Sequence, residues 1–191
     1  QVAARSMTVL KNARDLRPLV GTRSARVLSG TYRRSNDILA GRSFNAQLRS
    51  VYPRISTFEL DRDSSTDRYE DLWRRVGNNA LVVVSTYVTA VSYQGSVAIP
   101  EELSGFIRRL GEAGVPHVVV SFGNPYLIRD FPSAQSYVLA WSGSEVSQRA
   151  AGRALFGAFE ITGRVPTRIP PMFEIGEGIT IPPRSRSASD D

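Results

Sequence analysis

Three phrases in the second half of the sequence each join an apolar run to a turn of small residues. They span Ser121–Leu127, Ala140–Glu145 and Gly163–Pro166. A short apolar run bounded by a turn is typical of a buried strand. In an open α/β sheet, ligands and partners bind beyond the carboxyl ends of such strands. The phrases therefore predict an α/β sheet with a binding rim at one edge.

Strand-like and helix-like segments alternate from Ala25 to about Gly157. Apolar runs predict strands, and apolar residues spaced by three and four predict helices. The predicted strands are Val27–Leu28, which runs into Gly30–Tyr32, then Arg54–Leu60, Ala80–Val84, His117–Ser121 and Tyr137–Trp141. The helical stripes are Phe44, Leu48 and Val51, then Tyr69, Leu72, Trp73 and Val76, then Leu103, Phe106, Ile107 and Leu110. Short links between them favour the α/β class, with an open, doubly wound, mostly parallel sheet sandwiched by helices in a flavodoxin-like arrangement.

Local signals place the ends of several elements. Ser64–Asp67 predicts an N-cap, Pro100 the first residue of a helix, and Ser142 with Glu145 a capping box. Phe173–Ile179 is a candidate edge strand.

The chain of 191 residues is long enough for one domain with a full core. We expect a lead-in at residues 1–24, an α/β sandwich at 25–181 and a polar tail at 182–191. A (β/α)8 barrel of about 250 residues does not fit beside this domain. The first residue is Gln1, so we expect a chain processed or cut from a longer one, and no apolar run is long enough for a membrane span.

The whole excess of positive charge lies in the first 34 residues, where only Asp15 is acidic. Such asymmetry favours an acidic partner surface, or else a solvated basic segment. Nucleic acid is disfavoured, because no aromatic-interleaved basic motif accompanies the charge. The candidate basic partner surface consists of Arg5, Lys11, Arg14, Arg17, Arg23, Arg26, Arg33 and Arg34.

Several chemistries lack the residues they need. The chain has no cysteine and one histidine, His117, which excludes a disulfide framework and a multi-histidine metal site. Neither a Gly-x-Gly-x-x-Gly turn nor a Walker lysine is present. Asp61, Asp63 and Asp67 precede a helix, where capping and solvation explain them. We therefore expect no catalytic residue, no metal and no cofactor.

The predicted rim is rich in aromatic and hydroxyl groups. Tyrosine and tryptophan beside hydroxyls suit either sugar stacking or protein recognition. The alternative is that Asn124 and Pro125 only shape the turn after their strand. The candidate rim contacts are Tyr32, Tyr87, Asn124, Tyr126, Trp141 and Ser142.

The three opening phrases, together with Thr8–Asn12 and Arg17–Leu19, make the chain resemble the C-terminal domain of glycoside hydrolase family three. The likeness is to its bacterial β-N-acetylhexosaminidase branch in particular. The resemblance implies an α/β sandwich whose rim faces the active site of a separate catalytic barrel. It also implies an extracytoplasmic location, periplasmic or secreted.

The resemblance implies that this chain brings no acid or base. In the β-glucosidase branch a Glu-Gly-x-Asp-Arg phrase supplies the acid/base glutamate, and here Tyr93–Val97 keeps only the glycine. The hexosaminidase branch carries its acid/base histidine on the barrel.

Two functions follow as expectations. The first is a non-catalytic structural or protein-binding subunit of a larger assembly, including a membrane-associated one. The alternative is the C-terminal, substrate-enclosing domain of a β-N-acetylhexosaminidase, in which carbohydrate contacts the rim.

Overall fold

A six-stranded sheet lies at the centre of the computed structural model, which describes residues 2–13, 25–77, 79, 81–89 and 99–184. Its strands are β1 (Thr8–Asn12), β2 (Val27–Tyr32), β3 (Ile55–Leu60), β4 (Leu81–Val88), β5 (His117–Gly123) and β6 (Ser136–Leu139). Their order across the sheet is β1-β6-β5-β4-β2-β3. The strands β2 to β6 run parallel and β1 pairs antiparallel with β6.

Helices cover both faces of this sheet. They are α1 (Val2–Ser6), α2 (Arg42–Val51), α3 (Thr66–Val76), α4 (Glu101–Glu112) and α5 (Glu145–Leu155), with a 3-10 turn at Pro125–Asp130. Helices α3 and α4 pack on one face, and α2 and α5 on the other with α1 beside α5. The predicted α/β class with a mostly parallel, sandwiched sheet is confirmed.

The position of β4 between two helix layers explains why Leu81–Val84 is apolar without alternation. Val82 and Val84 face the α3–α4 layer, while Leu81 and Val83 face the α2–α5 layer, and all four are buried. A parallel strand with helices on both faces has no solvent-facing side, so apolar residues occupy all four positions of Leu81–Val84.

The first half of the lead-in is regular, although no helix or strand was predicted there. Residues 2–12 form α1 and β1, and Thr8, Val9 and Leu10 are buried at the sheet edge. The segment is basic overall, but it contains an apolar stretch that pairs with β6 through backbone hydrogen bonds. The division of the chain at residue 24 stays a prediction, since residues 14–24 lie outside the described part.

The predicted start of α3 is confirmed in position, and two other predicted helix starts are wrong in detail. Ser65 and Ser144 precede α3 and α5, and neither side chain makes a capping bond. The Ser142 hydroxyl accepts from the Ser144 amide instead, and the residue before α5 is Ser144, two residues after the predicted cap. Pro100 is the residue before α4, and Glu101 is its first helical residue.

The segment 159–184, here called the strap, crosses the outer edge of β1. The predicted edge strand Phe173–Ile179 is wrong, because the strap reaches β1 through the single bridge between Ile179 and Val9. Turns at Gly176 and Gly178, both with positive φ, interrupt any longer ladder. The strap still covers the free edge of β1, which limits pairing with other chains.

Candidate binding site at the carboxyl edge of the sheet

A cleft of about 290 Å³ opens where β2, β4, β5 and β6 end, at the edge that the sequence indicated. The loop after β2 forms one wall, the ends of β4 and β5 form the floor, and the turn after β6 forms the other wall. The lining residues are Arg34, Asn36, Asp37, Tyr87, Thr89, Phe122 and Gly143.

Two stacked aromatic rings form the floor of the cleft. The rings of Tyr87 and Phe122 are stacked 4.5 Å apart, centroid to centroid, and their planes are nearly parallel, at 5°. A Cβ at Gly143 would lie 3.4 Å from Tyr87 Cδ1, so this glycine packs directly on the tyrosine ring. Tyr87 is only 5% exposed, and burial raises the pKa of its phenol, which therefore stays neutral. The rings support the cleft but offer little open face for sugar stacking.

A buried polar network fixes α2 beside the cleft. Ser29 Oγ donates to Asn45 Oδ1 at 2.7 Å, and Asn45 Nδ2 donates to Thr31 Oγ1 at 3.3 Å. Gly41, the residue before α2, has φ of 81° and lies so close to Thr31 that a Cβ would meet its methyl at 2.7 Å. Only glycine fits this position without strain, and it brings the helix start against the sheet.

Gln148 ties three segments of the rim together. Its side-chain Nε2 donates to Gly143 O at 2.9 Å and to Leu39 O at 3.4 Å. Its Oε1 accepts from Phe44 N at 3.3 Å. The side chain is buried in the first turn of α5, so its amide replaces solvent for these backbone groups.

Arg33 holds the loop that forms the first wall. Its Nη1 donates to the carbonyls of Arg34 and Ser35, each at 3.1 Å, and its Nη2 pairs with Glu59 Oε2 at 2.7 Å. Ser35 Oγ also donates to Asp61 Oδ2 at 3.0 Å. The start of the loop is therefore fixed to the end of β3.

We expect Arg33→Gln to loosen this loop. Two carbonyl bonds and one ion pair are lost, at a cost of about 1–2 kcal/mol in free energy of unfolding. Urea titration measures the stability, and amide hydrogen exchange measures opening of residues 34–41. Arg49→Gln is the matched control, because Arg49 is exposed on α2 and makes no ion pair within the described residues. Equal exchange in the two variants would show that Arg33 does not hold the loop.

The predicted rim residues separate in the structure. Tyr87 lies in the cleft, but Tyr32 is buried on the opposite, α3–α4 face of the sheet. Trp141 Nε1 donates to Thr8 Oγ1 at 3.1 Å and packs inward. Asn124 Oδ1 accepts from Tyr126 N at 2.9 Å, which is the turn-shaping role.

Tyr126 and Ser142 remain at the surface. The Tyr126 ring is 40% exposed, with the guanidinium of Arg129 over it at 5.1 Å. Ser142 is exposed next to Gly143 at the cleft. As contacts to a sugar or a partner, all six rim residues stay predictions.

The basic residues of the first 34 positions differ in what they contact. Lys11 Nζ donates to Pro132 O at 2.7 Å, and partial burial lowers its pKa. Arg33 is engaged within the fold, Arg34 lines the cleft, and Arg5 and Arg26 are exposed. The remaining three, Arg14, Arg17 and Arg23, lie outside the described residues.

Sequence reasoning missed Asn36, Asp37 and Thr89 in the lining and Gln148 behind it. The polar run directly after β2 was the available signal for the first two, because it follows a strand at the predicted edge. Gln148 carried no such signal, since its partners lie as far as 109 residues away in the chain.

Among the residues that the structure describes, one carboxylate lines the cleft, that of Asp37, whose Oδ1 accepts from Ala40 N at 3.2 Å. Glycoside hydrolysis of the ordinary kind uses two carboxyl groups across one bond. Across the described ranges, no three acidic, histidine or cysteine side chains group as metal ligands would. His117 is buried behind α4, where its Nε2 accepts from Gln135 N at 3.2 Å and its Nδ1 contacts Val115 O at 2.9 Å.

Asp61, one of the three clustered aspartates, has a structural role. Its Oδ1 accepts from Ser64 Oγ at 2.8 Å, and this bond holds the pKa of the carboxyl below its ordinary value, with help from Ser35.

None of the helices in the described part of the chain has the length and apolar character that a membrane span requires.

Solved structures of similar fold are parts of longer glycosidases. A fungal multi-domain GH3 β-N-acetylglucosaminidase aligns with a TM-score of 0.70 and 19% identity, over 91% of this chain and 19% of its own. A GH3 β-N-acetylglucosaminidase from Paenibacillus sp. str. FPU-7 aligns with a TM-score of 0.65 and 16% identity, over 82% of this chain and 29% of its own. A β-glucosidase from Listeria innocua, in complex with isofagomine, aligns with a TM-score of 0.68 and 19% identity, over 85% of this chain and 25% of its own.

These likenesses support the fold, and the chain spans less than a third of each of the three structures. No protein-family model matches the sequence, and no curated protein matches it.

Proposed function

We propose that this chain is a non-catalytic α/β domain that binds another protein through the carboxyl edge of its sheet, as a structural or protein-binding subunit of a larger assembly. The observation that carries the proposal is a fixed loop with exposed aliphatic side chains. Ile38 is 76% exposed and Leu39 is 60% exposed beside the cleft. Exposed apolar side chains on a loop that hydrogen bonds hold in place are typical of a protein interface.

The chemistry of the cleft supports binding rather than catalysis. Within the described ranges, Asp37 is the only carboxylate that lines the cleft, and the two aromatic rings of the cleft are packed on each other. A proton donor and a second carboxylate would both have to come from elsewhere.

A second candidate function rests on the similar structures. They are segments of glycosidases, two of them β-N-acetylglucosaminidases. In this alternative the chain is the substrate-enclosing, C-terminal domain of a β-N-acetylhexosaminidase, and its barrel lies outside these residues. Arg34, Asn36 and Asp37 would then contact a sugar bound mainly by the barrel. Under either function we propose an extracytoplasmic location, which rests on the sequence resemblance.

The composition of the native particle separates the two functions. The protein is purified gently from its source, its mass is measured, and its companions are identified from peptides. The proposal expects stoichiometric companion proteins, no barrel peptides and no hydrolysis of an N-acetylglucosaminide by the particle. Barrel peptides contiguous with Gln1, together with hydrolysis, would replace it with the second candidate. A particle with the mass of this 191-residue chain alone, without companion proteins, would contradict both functions.

A further inference from the structure

Three exposed aliphatic side chains lie on two neighbouring segments of the rim. Ile38 and Leu39 belong to the loop before α2, and Val146, 65% exposed, belongs to the first turn of α5. Gln148 Nε2 bonds both Leu39 O and Gly143 O, which brings the loop next to the start of α5. Ile38, Leu39 and Val146 are here called the rim patch.

Hydrogen bonds hold the rim patch in its exposed position. Asp37 N donates to Arg34 O at 3.0 Å, Ala40 N to Asp37 O at 3.2 Å, and Arg42 N to Leu39 O at 3.2 Å. Gly41 is locked against Thr31 by close contact. Because the loop is already ordered, a partner that covers the patch pays little conformational entropy.

Positive charge flanks the rim patch. Arg34 and Arg42 are exposed, and neither makes an ion pair within the described ranges. Arg42 is the first residue of α2, where no acidic residue opposes the positive end of the helix dipole. The nearby acidic groups are engaged: Asp37 accepts from Ala40 N, and Glu145 pairs with Arg149 at 2.6 Å.

We propose that the rim patch, with Arg34 and Arg42, binds an apolar pocket bordered by carboxylates on a separate protein chain. The inference rests on the proposed function and names the partner's chemistry. Aliphatic side chains supply the buried contact, and the two guanidiniums select an acidic border. A second copy of this chain does not fit, because the same positive charges would face each other across the interface.

Photo-crosslinking in the native assembly tests this inference. A benzophenone amino acid replaces Leu39, and in a matched control it replaces Ile175, which is 63% exposed on the strap. We expect Leu39 to crosslink to a different protein, at a peptide that combines apolar residues with Asp or Glu. Charge reversal by Arg34→Glu with Arg42→Glu should lower the crosslink yield about tenfold or more. Arg49→Glu, at the other end of α2, should leave it unchanged.

The outcomes separate the inference from the proposed function. A crosslink to a partner peptide without acidic residues, or one that survives the charge reversal, overturns the inference and leaves the proposed function in place. Crosslinks to another copy of this chain, to lipid or to a barrel of the same polypeptide also overturn it. A third variant carries the benzophenone amino acid at Tyr126, which is 40% exposed at the same edge. If Tyr126 crosslinks another protein and Leu39 does not, only the inference fails. If neither crosslinks any protein above the Ile175 level, both fail. Unchanged thermal unfolding of each variant confirms that the fold is intact.

Discussion

Gly123→Ala is expected to lower the free energy of unfolding by about 3 kcal/mol. Gly123 ends β5 at the rim with φ of 128°, a conformation that L residues rarely adopt. An added Cβ would lie 2.5 Å from Val88 O, which already accepts from Asn124 N at 2.8 Å. Backbone strain and steric overlap therefore add, and the shift falls on two central strands. Urea titration followed by circular dichroism measures the change.

Gly30→Ala is the matched control for this loss. Gly30 lies in β2, one strand away from β4, and a Cβ there would have no atom within 4 Å. Its stability should stay within about 1 kcal/mol of the parent protein. If Gly123→Ala were no less stable than Gly30→Ala, the close approach of β5 to Val88 would be wrong.

Gln148→Leu is expected to cost about 2–4 kcal/mol and to loosen the rim selectively. The leucine has a similar size but leaves the amide of Phe44 and the carbonyl of Gly143 without their partner, while Leu39 O keeps only its bond from Arg42 N. Amide exchange should therefore rise at residues 37–41 and 143–147 more than in β4. Thermal unfolding and hydrogen exchange by mass spectrometry measure the two effects.

Ser147→Ala provides the comparison for Gln148→Leu. Ser147 is the buried neighbour of Gln148, and its Oγ accepts from Ser144 Oγ at 3.1 Å. We expect a loss of about 1 kcal/mol and little change in exchange at residues 37–41. A uniform rise of exchange in both variants would mean that Gln148 is an ordinary core residue rather than the link between the rim segments.

The sheet was predictable because burial on both faces leaves a direct signal. The runs at Leu81–Val88 and His117–Gly123 are apolar at nearly every position, and the α4 stripe returns at helical spacing. The strand β1 was missed because it is short, antiparallel and set in a basic segment. The predicted cap at Ser142 failed because a second serine, Ser144, takes the position before the helix.

The rim was predicted as an edge but not as a surface. Tyr32 pairs with Thr86 in the parallel register, so Tyr87, one residue further, points to the opposite face of the sheet. Sequence position alone therefore grouped two tyrosines that cannot share a site. The fixed loop at 33–41 depends on Glu59, Asp61 and Gln148, whose contacts cross 26 to 109 residues of chain. Such long-range bonds leave no periodic pattern.

Hydrogen exchange on this protein, alone and in its native assembly, tests the central claim most directly. We expect amide exchange at residues 36–41 and 143–147 to slow about tenfold or more in the assembly, because a partner covers the carboxyl edge of the sheet. The turn Ala113–Pro116, which precedes β5 at the opposite edge, should exchange equally in both states. Protection at that turn with no change at the carboxyl edge would contradict the account.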